Sequence, residues 1–300
     1  MKLAFIGFGG AGYGLTKGLR QAGLQEVYFY DKNSYTPPYG GVIKKRADET
    51  GAVLCSSMEA LLLTSEVVIS CVTGATAVSA AESAAPFLTS KHLYVDVNMT
   101  SPGVKEEVAK IVEKTGAAFA DGAMMGAIPT FFHRVPILAS GKGAVRFKES
   151  MEPFGMNITC IGEKPGQASA IKMLRSIFMK GLVALLLETL NATHRYHVDQ
   201  MVLESIAETM ESNSFLETVR LQLTKGVANA ERMAHEIEEV IKTLEGLDVS
   251  ATMTQATKEK LIWCSRLGLR EHFGGELPET VNEVLEVIEK KIRMTNGKTS

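Results

Sequence analysis

The chain has 300 residues, 45% of them hydrophobic and 22% charged, with a formal net charge of −2. That length suits two domains with a core each, and the composition is that of a globular protein rather than a fibrous or disordered one. The charge balance gives no basic footprint for nucleic acid, and the most apolar later run, residues 181–187, is too short to span a bilayer.

The amino terminus enters an apolar run, Lys2 to Ile6, that reads as a buried strand. With no basic region and no small-residue cleavage site there, a cytoplasmic chain is expected. GFGGAG follows, with Gly7, Gly9 and Gly12 in G-x-G-x-x-G. The first glycine serves a tight turn, the second the approach of a pyrophosphate, and the third close packing of helix on strand. Phe8, Gly10 and Ala11 complete the turn, and Leu15, Leu19 and Ala22 mark one side of the helix it opens. The amino-terminal N–H groups and dipole of such a helix favour an anion. Glu26 to Tyr30 is the next strand, and Asp31 ends it about twenty residues after the glycines, where an acid binds the adenosine ribose. A carboxylate there favours NAD over NADP, although Lys32 beside it partly offsets repulsion of a 2′-phosphate.

Lys32 to Gly41 is rich in Asn, Ser, Pro and Gly and reads as a loop. Ala52 to Cys55, Val67 to Val72, Leu93 to Val97, Ala117 to Ala120, Pro136 to Ala139 and Ile158 to Ile161 read as further strands. Helices over Met58 to Leu63, Val78 to Ala85 and Pro102 to Lys114 fall between them. This alternation predicts an α/β domain of Rossmann type, a doubly wound, mainly parallel sheet covered on both faces. The pattern changes at GEKPG, Gly162 to Gly166. Helical periodicity runs from Gln167 to about His197, then over residues 200–211, 213–224, 227–245, 253–267 and 279–293. The expected organisation is a dinucleotide-binding domain over 1–164 and an all-helical substrate and dimerisation domain over 165–300, ending in a frayed MTNGKTS. A helix of roughly thirty residues would span about 45 Å, more than one small domain needs, which points to a homodimer.

Ligands of open α/β sheets bind beyond the carboxyl ends of the strands. The segments leaving those ends are GFGGAG, CVTGATAV, VDVNMTSPG and DGAMMGAIP. Val72 and Thr73 are placed to touch the nucleotide, and Asn98 brings an amide to the nicotinamide side. Ser101 before Pro102 reads as a helix cap. Lys172 is the candidate proton donor and acceptor, since a half-buried lysine beside a cofactor can exchange protons near neutral pH. The spacing puts Ile171, Leu174, Phe178, Leu182 and Leu185 on the apolar stripe of its helix, with Lys172, Arg175, Ser176 and Met179 on another face. Arg134, next to His133, suits an anionic substrate because its planar fork binds carboxylate or phosphate bidentately. His194 and His197 have a spacing that can bind metal, but no third ligand accompanies them and no metal is expected. Cys55, Cys71, Cys160 and Cys264 lie far apart and read as core thiols.

GEKPGQASAIKMLRS resembles the segment of the β-hydroxyacid dehydrogenases in which a glycine-containing loop precedes a catalytic lysine and, one turn on, an asparagine. Gly162, Gly166 and Lys172 match, and Ser176 stands where the asparagine is expected. VDVNMTSPG is similar to that family's nicotinamide-side segment. KMLRSIFMKG, with Lys180, is similar to a poorly characterised phosphogluconate-dehydrogenase-like subgroup. The resemblance to 3-hydroxyisobutyrate and 6-phosphogluconate dehydrogenases implies a Rossmann domain, a helical second domain and Lys172 as general acid/base. It further implies a cofactor contact at His235, which with Glu236 stands where the family has a Lys-Asp pair. The family's substrate-carboxylate motif, an Asp before Ser-Gly-Gly, is kept at Asp121 and Gly126 but has Met125 and Ala127 in place of the Ser and the second Gly.

The function expected is an NAD(P)-dependent oxidoreductase acting on a small hydroxy acid or related polar alcohol. Asn98, Met125, Gly126, Arg134 and Ser176 would line the substrate, and there would be no nucleic-acid or membrane partner. Two alternatives stay open, an imine reductase-like enzyme and a catalytically silent NAD(P)-binding protein.

Overall fold

A computed structural model describes residues 1–296. In chain order the first part comprises β1 (Lys2–Ile6), α1 (Gly10–Gln21), β2 (Glu26–Tyr30), α2 (Tyr39–Thr50), β3 (Val53–Leu54), α3 (Met58–Thr64), β4 (Val67–Ser70), α4 (Ala77–Ala84), β5 (Leu93–Asp96), α5 (Pro102–Glu113), β6 (Ala118–Met124), α6 (Ile128–Phe131), β7 (Ile137–Ser140), α7 (Ala144–Met151) and β8 (Ile158–Gly162). The strands form one sheet in the order β3-β2-β1-β4-β5-β6-β7-β8. Every pairing is parallel except β6 with β7, where Asp121 faces Ser140.

Alternation along β1 shows how the sheet is covered. Leu3 and Phe5 join a core with Leu15, Leu19, Phe29 and Phe147, whereas Ala4 and Ile6 join a separate core with Leu61, Tyr94, Val108 and Phe119. All residues of β4 and β5 are buried, as a parallel sheet with helices on both faces requires. Ser57 accepts from the Ala60 N–H at 3.1 Å to cap α3, and Ser101 accepts from Val104 at 3.5 Å to cap α5, with Pro102 at its first position.

The second part is helical: α8 (Gln167–Tyr196), α9 (Asp199–Glu211), α10 (Phe215–Ala228), α11 (Ala230–Gly246), α12 (Thr252–Arg266), α13 (Leu269–His272) and α14 (Val281–Asn296). Val227, Ala230, Cys264, Leu269 and Val284 form its core. The chain divides into two compact units at Met1–Ile177 and Phe178–Ser300, so the first turns of α8 belong with the sheet rather than starting the second unit at residue 165.

Three other expectations are corrected and one helix is added. The expected loop over 32–41 gives way to α2 from Tyr39; Gly40 permits this, since a Cβ there would lie 2.6 Å from the Ser34 carbonyl oxygen. α7, which the sequence reading passed over, buries Ala144, Phe147 and Met151 at helical spacing. The apolar stripe proposed for α8 is exposed, Ile171 at 43% and Leu174 at 66%. The helix α14 takes in the first residues of the expected frayed tail, whose remainder, 297–300, lies outside the described residues.

Within the second unit Glu188 of α8 caps α12. Its carboxylate accepts the N–H groups of Met253 and Thr254, each at 2.8 Å, and the Thr254 hydroxyl at 2.6 Å. Burial alone would raise its pKa, but these hydrogen bonds outweigh it and hold the carboxyl below the ordinary glutamate value of 4.5. A depressed folded-state pKa gives stability that is present above the unfolded value and lost as pH falls through the folded one. Glu188→Gln should therefore lower stability by about 1–2 kcal/mol at neutral pH, and denaturant melts should show this deficit shrinking as pH falls below 4.5.

Candidate functional site

The glycine turn separates into internal and outward-facing roles. Gly7 has φ +89°, and a Cβ on it would meet the Cys71 carbonyl oxygen at 2.8 Å and the Val72 side chain at 3.0 Å. A Cβ on Gly12 would lie 2.7 Å from the Gly7 oxygen. Gly9 and Gly10 have nothing within 4 Å of that position, so no neighbour in the protein demands their smallness. Gly9 is also the N-cap of α1, with no side chain filling the cap. An open, side-chain-free helix start is a cradle for a phosphate, and the turn fits a dinucleotide's pyrophosphate.

Asp31 is tied into this turn. One carboxylate oxygen accepts the Phe8 N–H at 2.8 Å and the other the Asn33 N–H at 2.9 Å. The Phe8 ring is buried and stacks on Phe29 with centroids 4.0 Å apart, so only its backbone faces the turn. Ala11 is half-buried against the core of this face. Arg46, which the sequence did not single out, reaches from α2 to 3.4 Å from the Phe8 carbonyl oxygen and lies over the Tyr13 ring.

The neighbouring strand ends close onto the turn in sequence. Val72 touches the Gly7 position. The segment continues through Thr73 to Gly74, where a Cβ would lie 2.5 Å from the Met99 carbonyl oxygen and 3.4 Å from the Thr100 side chain. Asn98 is 4% exposed; its N–H donates to Asp96 at 2.8 Å and its side-chain amide to the Ser70 hydroxyl at 3.0 Å. Its own Oδ1 and the Thr100 hydroxyl are buried without a hydrogen-bond partner. Asn98 thus ties β4 to β5 and holds one spare acceptor there.

Beneath these loops lies a fully buried charge cluster. Lys105 Nζ sits 2.8 Å from Asp96 Oδ1, 3.2 Å from Asp121 Oδ1 and 2.7 Å from the Asp96 backbone oxygen, with all three side chains 0% exposed. Burial, then the Asp96 carboxylate, push the Cys71 thiol well above its ordinary range, so Cys71 is a core thiol. Asp121 lies inside β6 rather than in a segment leaving its end. Its carboxylate accepts the Ser169 N–H at 2.9 Å and the Ser169 hydroxyl at 2.7 Å, while the Ser140 hydroxyl accepts the Ala168 N–H at 3.0 Å. The start of α8 is thereby capped by side chains from two strands. Lys172, half-buried, follows three residues after Ser169, and Ser176 donates back to the Lys172 carbonyl oxygen at 2.9 Å.

Four more of the expected site residues are Met125, Gly126, Arg134 and His235. Met125 is held by its N–H to the Pro136 carbonyl oxygen at 2.7 Å. Gly126 has an internal reason to be glycine, with the Phe131 ring 3.2 Å from where a Cβ would be. Arg134 shares a cavity with Gln21 and Ala22 at the carboxyl end of α1, one helix length, about 17 Å at 1.5 Å per residue, from the glycine turn. Its neighbour His133 is buried on Gly18, with its pKa lowered by burial and by the Arg134 charge. His235 is exposed on α11 in the second unit. Sequence reasoning missed Asp96, Lys105, Ser140 and Ser169. Lys105 had a signal, because it occupies an apolar-stripe position with Val108, Ala109 and Val112. Among the described residues no group of three His, Cys, Asp or Glu could hold a metal, and no helix is long and apolar enough to cross a membrane.

Residues 2–162 match the family model described as the NAD binding domain of 6-phosphogluconate dehydrogenase. The chain belongs to this family. Residues 193–263 of this 6-phosphogluconate dehydrogenase-like chain match a domain of unknown function, DUF1932. It is 30% identical over 86% of its length to an uncharacterized 28.5 kDa protein of Methanothermus fervidus, covering 96% of that protein. It is 33% identical to the conserved protein MTH1747, whose structure is described as similar to 3-hydroxyacid dehydrogenases (TM-score 0.58, covering 88% of this chain and 98% of the other). A reductive aminase from Aspergillus terreus in complex with NADPH4, cyclohexanone and allyl amine shares the fold at 17% identity (TM-score 0.73, covering 89% and 94%). The chain therefore has an NAD-binding, hydroxyacid dehydrogenase-like fold.

The division of labour in the turn is testable by two substitutions. Gly9→Ala should leave thermal stability nearly unchanged yet weaken NADH binding tenfold or more in a fluorescence titration, about 1.4 kcal/mol. Gly7→Ala should cost about 1–3 kcal/mol of folding stability, because its positive φ and the Cys71 backbone resist a side chain.

Proposed function

We propose that the chain is an NAD(P)-dependent oxidoreductase moving hydride between nicotinamide and a small hydroxy acid or related polar alcohol, with Lys172 as general acid/base. One observation carries the reading. An unbroken series of contacts and short chain links within the first unit runs from Asp31 through Phe8, Gly7, Val72, Gly74 and Thr100 to Asp96, Lys105, Asp121 and Ser169. The glycine turn, the free acceptor of Asn98 and the foot of the Lys172 helix thus lie along one edge of the sheet.

The cofactor, when bound, supplies or accepts hydride. The turn binds its pyrophosphate through N–H groups at the start of α1, where the dipole also favours negative charge. Asp31, fixed by Phe8 and Asn33, retains lone pairs for ribose hydroxyls, which favours NAD over NADP. The unpartnered Asn98 Oδ1 and Thr100 hydroxyl orient a polar group placed above them. Lys172 moves the hydroxyl proton: its ammonium donates to a carbonyl oxygen during reduction, and its amine accepts from the alcohol during oxidation. A second reading is reduction of an imine. Met125 and Ala127 stand where a carboxylate-binding Ser and Gly would be expected, leaving that part of the substrate site without a hydroxyl.

A cofactor-coupled absorbance screen tests the function, with hydroxy acids, sugar acids and their phosphates run against NAD and NADP, and cyclic imines against NADH and NADPH. Turnover of a hydroxy acid, faster with NAD, is expected. Lys172→Ala should lower kcat by a factor of about 10²–10⁴ with NADH affinity unchanged; undiminished turnover would sink the general acid/base role. The exposed apolar surface of α8, including Leu174 at 66%, Ile177 at 73% and Val183 at 57%, supports a homodimer in which a second copy covers it. Sedimentation should show a dimer that the double substitution Leu174→Glu, Val183→Glu converts to monomer.

A further inference from the structure

We propose that Asp121, Ser169 and Lys105 are positioning residues for Lys172, a role that rests on the reading of Lys172 given above. The first N–H groups of a helix have no partner within it and need one from outside. In α8 the partners come from the sheet: Asp121 on β6 receives both the N–H and the hydroxyl of Ser169, and Ser140 on β7 receives the Ala168 N–H. Just before them Gly166, at φ +85°, brings its backbone against α5, where a Cβ would lie 2.7 Å from the Pro102 carbonyl oxygen. The foot of α8 is therefore fixed to three elements at once. Lys172 follows at about 4.5 Å of helical rise from Ser169, too short a distance for the helix to absorb a displacement of its foot.

Lys105 makes this clamp possible. Asp121 and Asp96 are neighbours across β6 and β5, and both are fully buried. Two bare carboxylates so placed would repel each other, and each would pull at the donors available. The Lys105 side chain bridges them at 2.8 and 3.2 Å, leaving Asp121 oxygens to accept from the amino terminus of α8. The same side chain bonds the Asp96 carbonyl oxygen at the end of β5. The strand end beneath Asn98 and the helix bearing Lys172 are thereby registered to one charge, as a proton transfer needing sub-ångström placement against a cofactor requires.

The test compares Ser169→Ala, Ser169→Thr and Asp121→Asn with wild type. Ser169→Ala removes the 2.7 Å hydroxyl contact but keeps the N–H bond; Asp121→Asn keeps the shape but turns one acceptor into a donor. Amide exchange measured by mass spectrometry should speed up at least tenfold over residues 168–176 in Ser169→Ala, and return to wild type in Ser169→Thr. The acetylation rate of Lys172 by N-hydroxysuccinimide acetate should shift severalfold in Ser169→Ala at unchanged melting temperature, which a merely stabilising contact would not produce. With the substrate found in the screen, kcat should fall about tenfold or more while KM for NADH holds. Unchanged exchange and unchanged Lys172 reactivity in a folded Ser169→Ala would overturn the proposal, as would failure of Ser169→Thr to restore them. Should Asp121→Asn not fold, Ser169→Ala alone decides. Lys172→Ala run alongside separates the two ideas, because the exchange and acetylation readouts stand whether or not Lys172 proves catalytic.

Discussion

A single ammonium group holds the centre of the sheet together. Lys105 is wholly buried, and so are the two carboxylates it serves. Desolvating three charges is expensive, and their mutual attraction offsets that cost only when geometry is good and the remaining lone pairs are filled. Here Asn98 serves one Asp96 oxygen and Ser169 and Ser140 serve Asp121, while the second Asp96 oxygen is buried without a partner. An apolar trio of the same volume could match the cluster in stability but could not present an anion to the start of α8. The cluster is best understood as a device of geometry, with its energy spent on holding strands, loops and helix in one register.

The glycine turn follows the same logic from the other side. Gly7 and Gly12 are small because the protein's own backbone crowds them, whereas Gly9 and Gly10 face open space. Asp31 then closes the turn onto the end of β2 through the Phe8 N–H. The carboxylate that the sequence marks for a ribose is thus first a structural tie, whose direction is set before any ligand arrives. Preorganisation of this kind reduces what binding must spend on ordering the site.

All eight strands and the longer helices of the second unit were legible from periodicity and punctuation, because a strand buried on both faces and a helix with one apolar side leave local traces. GFGGAG and Asp31 were legible because their spacing is imposed by one contiguous motif. The buried cluster was not, since residues 96, 105, 121 and 169 meet only once β5, α5, β6 and α8 have packed. Arg134 was misplaced for a related reason. The segment after β6 folds back over α1, with Ile128 against Gly14 and His133 against Gly18, and nothing local announces where such a return will lie. The exposed stripe of α8 shows a third limit, for periodicity marks which face is apolar and is silent about what covers it.

The capping of α8 by the sheet bears on where one folding unit stops. The strand pattern ends at Gly162, and a cut in the loop after it would look natural on the page. Such a fragment would remove the Ala168 and Ser169 donors that the Ser140 hydroxyl and the Asp121 carboxylate accept from in the whole chain. The sheet is complete only with the first turns of the helix that leads away from it, so the first unit ends inside α8 and not at the loop before it.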